Sequence, residues 1–283
     1  MGLFSGLEKM GLGKMKNIDL FAEDEKTETK KAAVQKKEVT VCETDFIYDK
    51  VFECPVCSKQ LKSKIVKTGK ARLVGQDIDL RPKYHDIDSL KYDIIACPIC
   101  GYSSLTRTFD RLTLPQAKLV KENISVSFTG LKMEGKDVYT YDDAIARARL
   151  ALVNTVVKKG KLGERAYVCL ELAWLLRGKR ENLPEDTPDR DKVAQELLAD
   201  EKEMLENARD GFTTAFSKEG FPMYTLDETT ATYVVAALCA ETGDRENALR
   251  WASKLISSTA ANERIKERAR NLKEKVNSGE ELI

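Results

Sequence analysis

The sequence predicts an α+β protein: a small β-rich module followed by an all-α half. The segment 41–112 contains short runs of β-branched residues, some of them alternating with polar residues, and glycine, proline and polar stretches separate these runs. From Tyr141 onward the apolar residues recur with the period of an α-helix. Two Cys-x-x-Cys pairs inside the first module indicate that a metal ion holds it together.

Composition and charge narrow the class of protein. The chain has 283 residues, of which 42% are hydrophobic and 33% charged, and its net charge is +1. A net charge so close to zero argues against a generally basic nucleic-acid binder. No apolar run reaches the roughly 18 residues of a membrane span, and the N-terminus lacks the apolar core of a secretory signal. We therefore expect a cytoplasmic protein with reduced cysteines.

The pattern of charge and hydrophobicity divides the chain into four segments. Residues 1–21 carry a thin apolar stripe typical of a short amphipathic segment, in which Phe4, Leu7 and Met10 would dock on a protein partner or lie on a membrane surface. A disordered leader is the alternative for this segment. Residues 22–40 carry ten charges in nineteen positions, which predicts a flexible linker. We assign 41–139 to the ribbon with an irregular connector and 140–283 to the helical domain.

The two cysteine pairs carry the strongest chemical signal. Cys54-Pro-Val-Cys57 and Cys97-Pro-Ile-Cys100 each fit a tight turn that points two sulfurs at one ion. Four thiolates form the tetrahedral ligand set that zinc prefers in structural sites, with no position left for water or substrate. A redox pair is less favoured, because such pairs begin helices and each pair here follows a β-like run. The sequence therefore predicts a zinc ribbon with one structural zinc ion.

The helical half resembles tetratricopeptide repeats near its end. We expect Gly178 to end the second helix, and Gly243 to turn the chain between the fourth and fifth helices. With Gly243 at that turn, Ala236 and Ala248 occupy the small positions of the repeat, whereas Cys239 and Ala252 depart from it. Short loops predict antiparallel helix pairs in a tetratricopeptide-like domain. The predicted helices lie near 141–158, 163–178, 190–218, 227–242, 245–258 and 262–277.

The order of these motifs resembles the bacterial family called domain of unknown function 2225. The resemblance covers roughly residues 45–280 and implies a zinc ribbon followed by a helical half, in a bacterial cytoplasmic protein. It implies no activity. The positions that carry it are Cys54, Cys57, Asp77, Asp79, Tyr84, Tyr92, Cys97, Cys100, Gly101, Tyr102, Ala173, Trp174, Arg177, Gly243 and Ala248.

A basic arm follows the first cysteine pair and indicates an alternative function. Residues 54–111 contain 11 Lys/Arg and 6 Asp/Glu, an excess of five positive charges. Zinc ribbons with basic fingers bind nucleic acid through phosphate contacts, although this arm lacks interleaved aromatic residues for base stacking. The residues of the arm are Lys59, Lys62, Lys64, Lys67, Lys70 and Arg72.

The remaining candidate chemistry lies between the cysteine pairs. Asp77 and Asp79 would share one face of a strand and could serve a Mg²⁺-dependent enzyme, although surface ion pairs with Arg81 or Lys83 are the simpler interpretation. His85 is the only histidine, which excludes metal sites built on histidine pairs. Since no catalytic constellation is identifiable, the leading hypothesis is a non-enzymatic adaptor or regulatory protein that binds a protein partner. Nucleic-acid binding and the Mg²⁺ enzyme rank second and third.

Overall fold

The computed structural model describes residues 42–131 and 135–280. The predicted N-terminal segment with Phe4, Leu7 and Met10, and the predicted linker 22–40, lie outside the described residues. The chain divides after Thr40, and Val41–Ile283 forms one compact unit.

The β-rich part consists of three antiparallel two-stranded sheets. In the longest, Ile47 pairs with Val66 at one end and Glu53 with Gln60 at the other, so the hairpin ends beside Cys54. Along the second strand of this sheet Leu61 and Ser63 are buried while Gln60 and Lys62 are exposed, because side chains alternate between the two faces. The paired strands are β1 (Ile47–Glu53) with β2 (Gln60–Val66), β3 (Leu73–Gln76) with β4 (Pro82–Tyr84), and β5 (Ile94–Ala96) with β6 (Ser103–Leu105).

The third strand is shorter than the sequence predicts. The run 71–80 reads as one β segment, but β3 ends at Gln76 and a tight turn follows. In this turn the N–H of Asp77 donates to the carbonyl of Arg81 at 2.9 Å, and the Asp79 carboxylate accepts the N–H of Arg81 at 3.1 Å. Aspartate side chains compete with ladder hydrogen bonds in this way, so Asp77 and Asp79 do not share a strand face.

Seven α-helices lie among the described residues, and the six predicted ones match within three residues at either end. An α+β fold, with small sheets followed by a helical region, is thereby confirmed. The additional short helix begins at a Thr113 capping box with Pro115 in its first turn. The helices are α1 (Leu114–Val120), α2 (Tyr141–Val157), α3 (Leu162–Glu181), α4 (Arg190–Lys218), α5 (Glu228–Glu241), α6 (Arg245–Ser257) and α7 (Glu263–Ser278).

The expectation that Gly178 ends the second predicted helix is wrong, because α3 continues to Glu181. Gly178 lies inside α3, where a Cβ atom would stand 2.6 Å from Cε1 of Tyr141. The missing side chain therefore lets the start of α2 approach α3 closely. The Thr140 hydroxyl caps α2 by accepting the N–H of Asp143.

The hydrophobic core is continuous between the β-rich part and the helices. Leu90, Ile94 and Leu105 belong to the same buried cluster as the inward faces of α2 to α7. Arg147 on α2 is buried and donates to the carbonyl of Ile94 at 2.7 Å, which ties the third sheet to that helix. The boundary between the ribbon domain, 41–139, and the helical domain, 140–283, stays a prediction.

Candidate metal centre and buried ion network

Both cysteine pairs adopt the same backbone turn at the end of a strand. In the first, the N–H of Cys54 donates to the carbonyl of Lys59 at 2.9 Å, and that of Ser58 donates to the carbonyl of Cys54 at 2.8 Å. In the second, the bonds at the same spacing are Cys97 to Tyr102 at 2.7 Å and Gly101 to Cys97 at 3.1 Å. Because the two turns share these hydrogen bonds, we expect each turn to point its two sulfurs in the same direction.

The residue after each cysteine pair has a positive φ, but only the second pair is followed by glycine, the residue that favours this conformation. Gly101 has φ +74°, and a Cβ atom there would stand 2.7 Å from the Phe128 ring. Ser58 occupies the equivalent place with φ 55°. A left-handed conformation costs a residue with a side chain about 1–2 kcal/mol, so the first turn is the more strained one.

The four sulfurs form one cluster. The Sγ atoms of Cys54 and Cys100 are 3.5 Å apart, those of Cys57 and Cys97 are 3.7 Å apart, and all four lie within 4.8 Å of one another. A tetrahedral ion with metal–sulfur bonds of about 2.3 Å separates its sulfurs by about 3.8 Å. The cluster therefore has the dimensions of a four-thiolate site for one metal ion.

The surroundings close the cluster off from solvent. Cys54, Cys97 and Cys100 are buried and Cys57 is half-buried, beneath a hydrophobic cluster that includes Tyr102. Four neighbouring thiols cannot all ionise without a cation, because thiolates at this distance repel one another. Hydrogen bonds from Cys100 and Cys54 lower the pKa of Cys97 to about 2. A hydrogen bond with Cys100 lowers the pKa of Cys54, but a hydrogen bond with Cys97 and burial both raise it. The result is a pKa of about 12.

Helix α2 supports the second turn directly. The Asn154 amide donates to the carbonyl of Gly101 at 2.9 Å, and Ser125 donates to the carbonyl of Cys100 at 2.8 Å. These bonds fix the backbone that carries two of the four sulfurs. A metal ion here would thus stabilise both the ribbon and its contact with the helices.

The basic arm divides into tethered and exposed side chains. Lys64 forms an ion pair with Asp49 at 2.9 Å, and the Lys67 ammonium donates to the carbonyl of Asp45 at 2.9 Å. The other four side chains are exposed and form no ion pair with a described residue. These four are Lys59, Lys62, Lys70 and Arg72.

A buried ion network that sequence reasoning did not foresee centres on Arg177 of α3. Its guanidinium lies 2.6 Å from Glu201 of α4, 3.0 Å from Asp79 and 3.3 Å from Glu241 of α5. Asp77 lies 3.5 Å away. Asp79 and Glu201 are fully buried. One arginine thus connects the β3–β4 turn to three helices.

The two aspartates of the predicted magnesium site have different surroundings. Asp77 makes the expected ion pairs, with Lys83 at 2.7 Å and Arg81 at 3.5 Å. Asp79, expected at the surface, is buried and accepts the indole N–H of Trp174 at 2.8 Å. Arg177 contacts both carboxylates. The Mg²⁺ hypothesis stays a prediction, at a place where a guanidinium already contacts both carboxylates.

Residues 47–276 match the family described as "Uncharacterized protein conserved in bacteria (DUF2225)". The chain belongs to this family. The expected resemblance is thereby confirmed over most of the chain, including both cysteine pairs and helices α2 to α6 in full. No curated protein and no solved structure matches this DUF2225 chain. None of the helices in the described part of the chain combines the length and the hydrophobicity of a membrane span.

Proposed function

We propose that this DUF2225 protein is a non-catalytic interaction protein of the bacterial cytoplasm, with a structural zinc ion in its ribbon. The observation that carries the proposal is the closed four-sulfur cluster. All four protein ligands come from two rigid turns, and three of them are buried, so the ion would have no open coordination position for substrate. Such a metal site stabilises the fold of the ribbon and takes no part in a reaction, which favours a role in binding.

The helical half supports the same function. Gly243 turns the chain between α5 and α6 with φ +79°, and Ala236 and Ala248 are both buried. Cys239 and Ala252, which depart from the tetratricopeptide pattern, are also buried. Small buried residues let helices approach closely, as in repeat proteins that build extended binding surfaces. We therefore interpret α5 to α7 as a tetratricopeptide-like scaffold.

The ribbon supplies exposed apolar side chains for a partner. Ile99, at the tip of the second turn, is 56% exposed, and Val51 on β1 is 53% exposed. Apolar side chains held on a rigid element lose little conformational entropy on binding, which favours their use as contact residues. Val153 on α2 is exposed to a similar extent, 51%, and serves as a matched control.

The test is capture of the tagged protein from its own cells, with and without nuclease, followed by mass spectrometry. The proposal predicts a defined protein partner that survives nuclease. It predicts that Ile99→Glu loses the partner while Val153→Glu keeps it. Companions that vanish with nuclease would contradict the adaptor function.

Nucleic-acid binding is the second candidate, and the four exposed basic side chains favour it. Each phosphate that the protein no longer neutralises should reduce the slope of log affinity against log salt by about 0.9 on duplex DNA. Replacement of Lys59, Lys62 and Lys70 by glutamine should therefore flatten the slope by about 2.7. Lys64→Gln, which removes a side chain already paired with Asp49, is the control and should leave the slope unchanged. An unaltered slope in the triple variant would remove this candidate.

A further inference from the structure

A cavity of about 640 Å³ lies between β2, the second cysteine turn, the segment 135–139 and α2. Its volume falls within the range of about 300–1,000 Å³ typical of small-molecule sites. Leu61, Pro98 and Ile99 form an apolar part of its wall. None of the four clustered cysteines is among the described residues that line it, so the cavity is distinct from the metal centre.

Arg147 of α2 brings a buried positive charge to the wall of this cavity. The residue is 1% exposed, and its guanidinium carbon lies 3.8 Å from the ring centre of Tyr139. The guanidinium donates to three backbone carbonyls, those of Lys91, Ile94 and Asp143. Because a guanidinium offers five N–H groups, two of them have no acceptor among the described residues.

Arg147 forms no ion pair with a described residue, although it is the most deeply buried arginine among them. Arg81 and Arg177, the other two buried arginines of the described chain, both lie against carboxylates. The carbonyls and the ring face that surround Arg147 satisfy hydrogen bonds but carry no net charge. An ion inside a protein is costly unless an opposite charge accompanies it. Burial accordingly lowers the pKa of the Arg147 guanidinium to about 10.

Two hydroxyl groups belong to the same cavity wall. Ser63 on β2 is 3% exposed, and its hydroxyl forms no hydrogen bond with a described residue. The buried Tyr139 hydroxyl accepts the N–H of Lys64 at 3.2 Å, and no described residue accepts its proton. Buried polar groups in native proteins nearly always have hydrogen-bond partners. A ligand with acceptor oxygens would supply the partners that these two hydroxyl groups lack.

The charges around the cavity favour an anion over a cation. Asp49 is exposed and already paired with Lys64 at 2.9 Å, and the exposed Asp137 is screened by solvent. Arg147, in contrast, is shielded from solvent and unpaired. The cations that line the cavity are Lys62, Lys64, Lys136 and Arg147, and the carboxylates are Asp49 and Asp137.

We propose that this cavity binds the phosphate group of a small molecule, with Arg147 as its counter-ion. The phosphate oxygens accept the two remaining N–H groups of Arg147 and the hydroxyl protons of Ser63 and Tyr139. Phosphate suits these donors better than a carboxylate, because it offers more acceptor oxygens, and arginine is the preferred residue for its recognition. The apolar wall around Leu61 and Pro98 contacts the rest of the ligand. A small molecule can reach a buried guanidinium, whereas the backbone of a stiff DNA duplex cannot.

The test is calorimetric titration of the full chain with phenyl phosphate at constant ionic strength. Phenyl phosphate should bind with a Kd of about 1 mM or lower, and benzyl alcohol, a neutral analogue, at least about tenfold more weakly. Ser63→Ala should weaken phenyl phosphate binding about tenfold, because it removes a hydrogen bond to a charged group. Ser104→Ala is the matched control, since Ser104 has the same exposure of 3% and does not line the cavity.

A second variant tests the counter-ion itself. Arg147→Lys keeps the charge but loses the planar set of donors, and should weaken phenyl phosphate binding at least about tenfold. Circular dichroism checks its fold, because Arg147 also ties the third sheet to α2. If this variant unfolds, Ser63→Ala decides the question.

The proposal is overturned if phenyl phosphate does not bind or if benzyl alcohol binds equally well. An unchanged affinity in Ser63→Ala would show adventitious binding only and would also overturn it. Displacement of phenyl phosphate by duplex DNA would assign the site to nucleic acid instead. These outcomes leave the adaptor function untouched, since that function is measured by partner capture.

Discussion

Removal of the Arg177 side chain should destabilise the protein more than removal of any charged side chain at the surface. In Arg177→Met the carboxylates of Asp79, Glu201 and Glu241 lose the guanidinium that lies 2.6–3.3 Å from them. Breaking a buried ion pair by removing one partner costs about 3–5 kcal/mol, because the other charge stays buried. All three carboxylates contact this arginine, but Glu201 keeps Arg180 at 2.9 Å and the acids can take up protons, so we expect a loss of about 4 kcal/mol.

The assay is urea unfolding of the full chain followed by circular dichroism, supported by thermal melting. A loss of about 4 kcal/mol should lower Tm by about 10 °C in a chain of this size. Arg149→Met is the control: it removes an exposed pair with Asp200 and should cost at most about 1 kcal/mol. A loss below about 1 kcal/mol in Arg177→Met would refute the claim that this network holds the β3–β4 turn on the helices.

The pH dependence of this variant has a definite sign. Burial already raises the pKa of Glu241 well above its usual value, and loss of Arg177 raises it further. A carboxyl group whose folded pKa is raised contributes stability that is complete below its unfolded pKa and is lost as pH rises through the folded pKa. The deficit of Arg177→Met should therefore be larger at pH 8 than at pH 5. A deficit that is independent of pH would contradict the buried-carboxylate explanation.

The remaining predictions use conservative substitutions. Glu171→Gln should stabilise the protein by about 1–2 kcal/mol at pH 8 and by less at pH 5, because it removes a buried acid whose pKa is raised by burial. Urea unfolding measures both gains in stability, and equal gains at the two pH values would argue against this explanation. Ser58→Gly should stabilise the first turn by about 1 kcal/mol, because it relieves a positive φ. Gly101→Ala should destabilise the second turn through both its φ and the Phe128 ring, and a melting temperature at or above wild type would contradict this.

The helices were predictable because their signals are local. The predicted helices carry their own apolar periods, and four of the six begin at a capping side chain: Thr140, Asp227, Asp244 and Asn262. The cluster of four cysteines was equally predictable, since the cysteine spacing is itself the signal. The β3–β4 region was harder, because Asp77 and Asp79 interrupt an otherwise β-like run.

The buried ion network and the cavity could not be derived from the sequence. Arg177, Glu201 and Glu241 are distant along the chain, and only the packing of α3, α4 and α5 brings them together. Glu171 did offer a signal, since it stands between Leu170 and Leu172 in an apolar helix. A charged residue flanked by apolar residues in a core helix indicates a buried acid, although its partners depend on the tertiary structure.

The most direct test of the zinc ribbon is the metal content of the purified full chain. We predict one zinc ion per chain, measured by mass spectrometry, with a four-thiolate absorption spectrum after substitution by cobalt. Cys97→Ser should lose the metal and unfold residues 41–112, whereas Cys239→Ala, a buried cysteine outside the cluster, should retain it. Full zinc retention and an unchanged melting temperature in Cys97→Ser would contradict the metal centre.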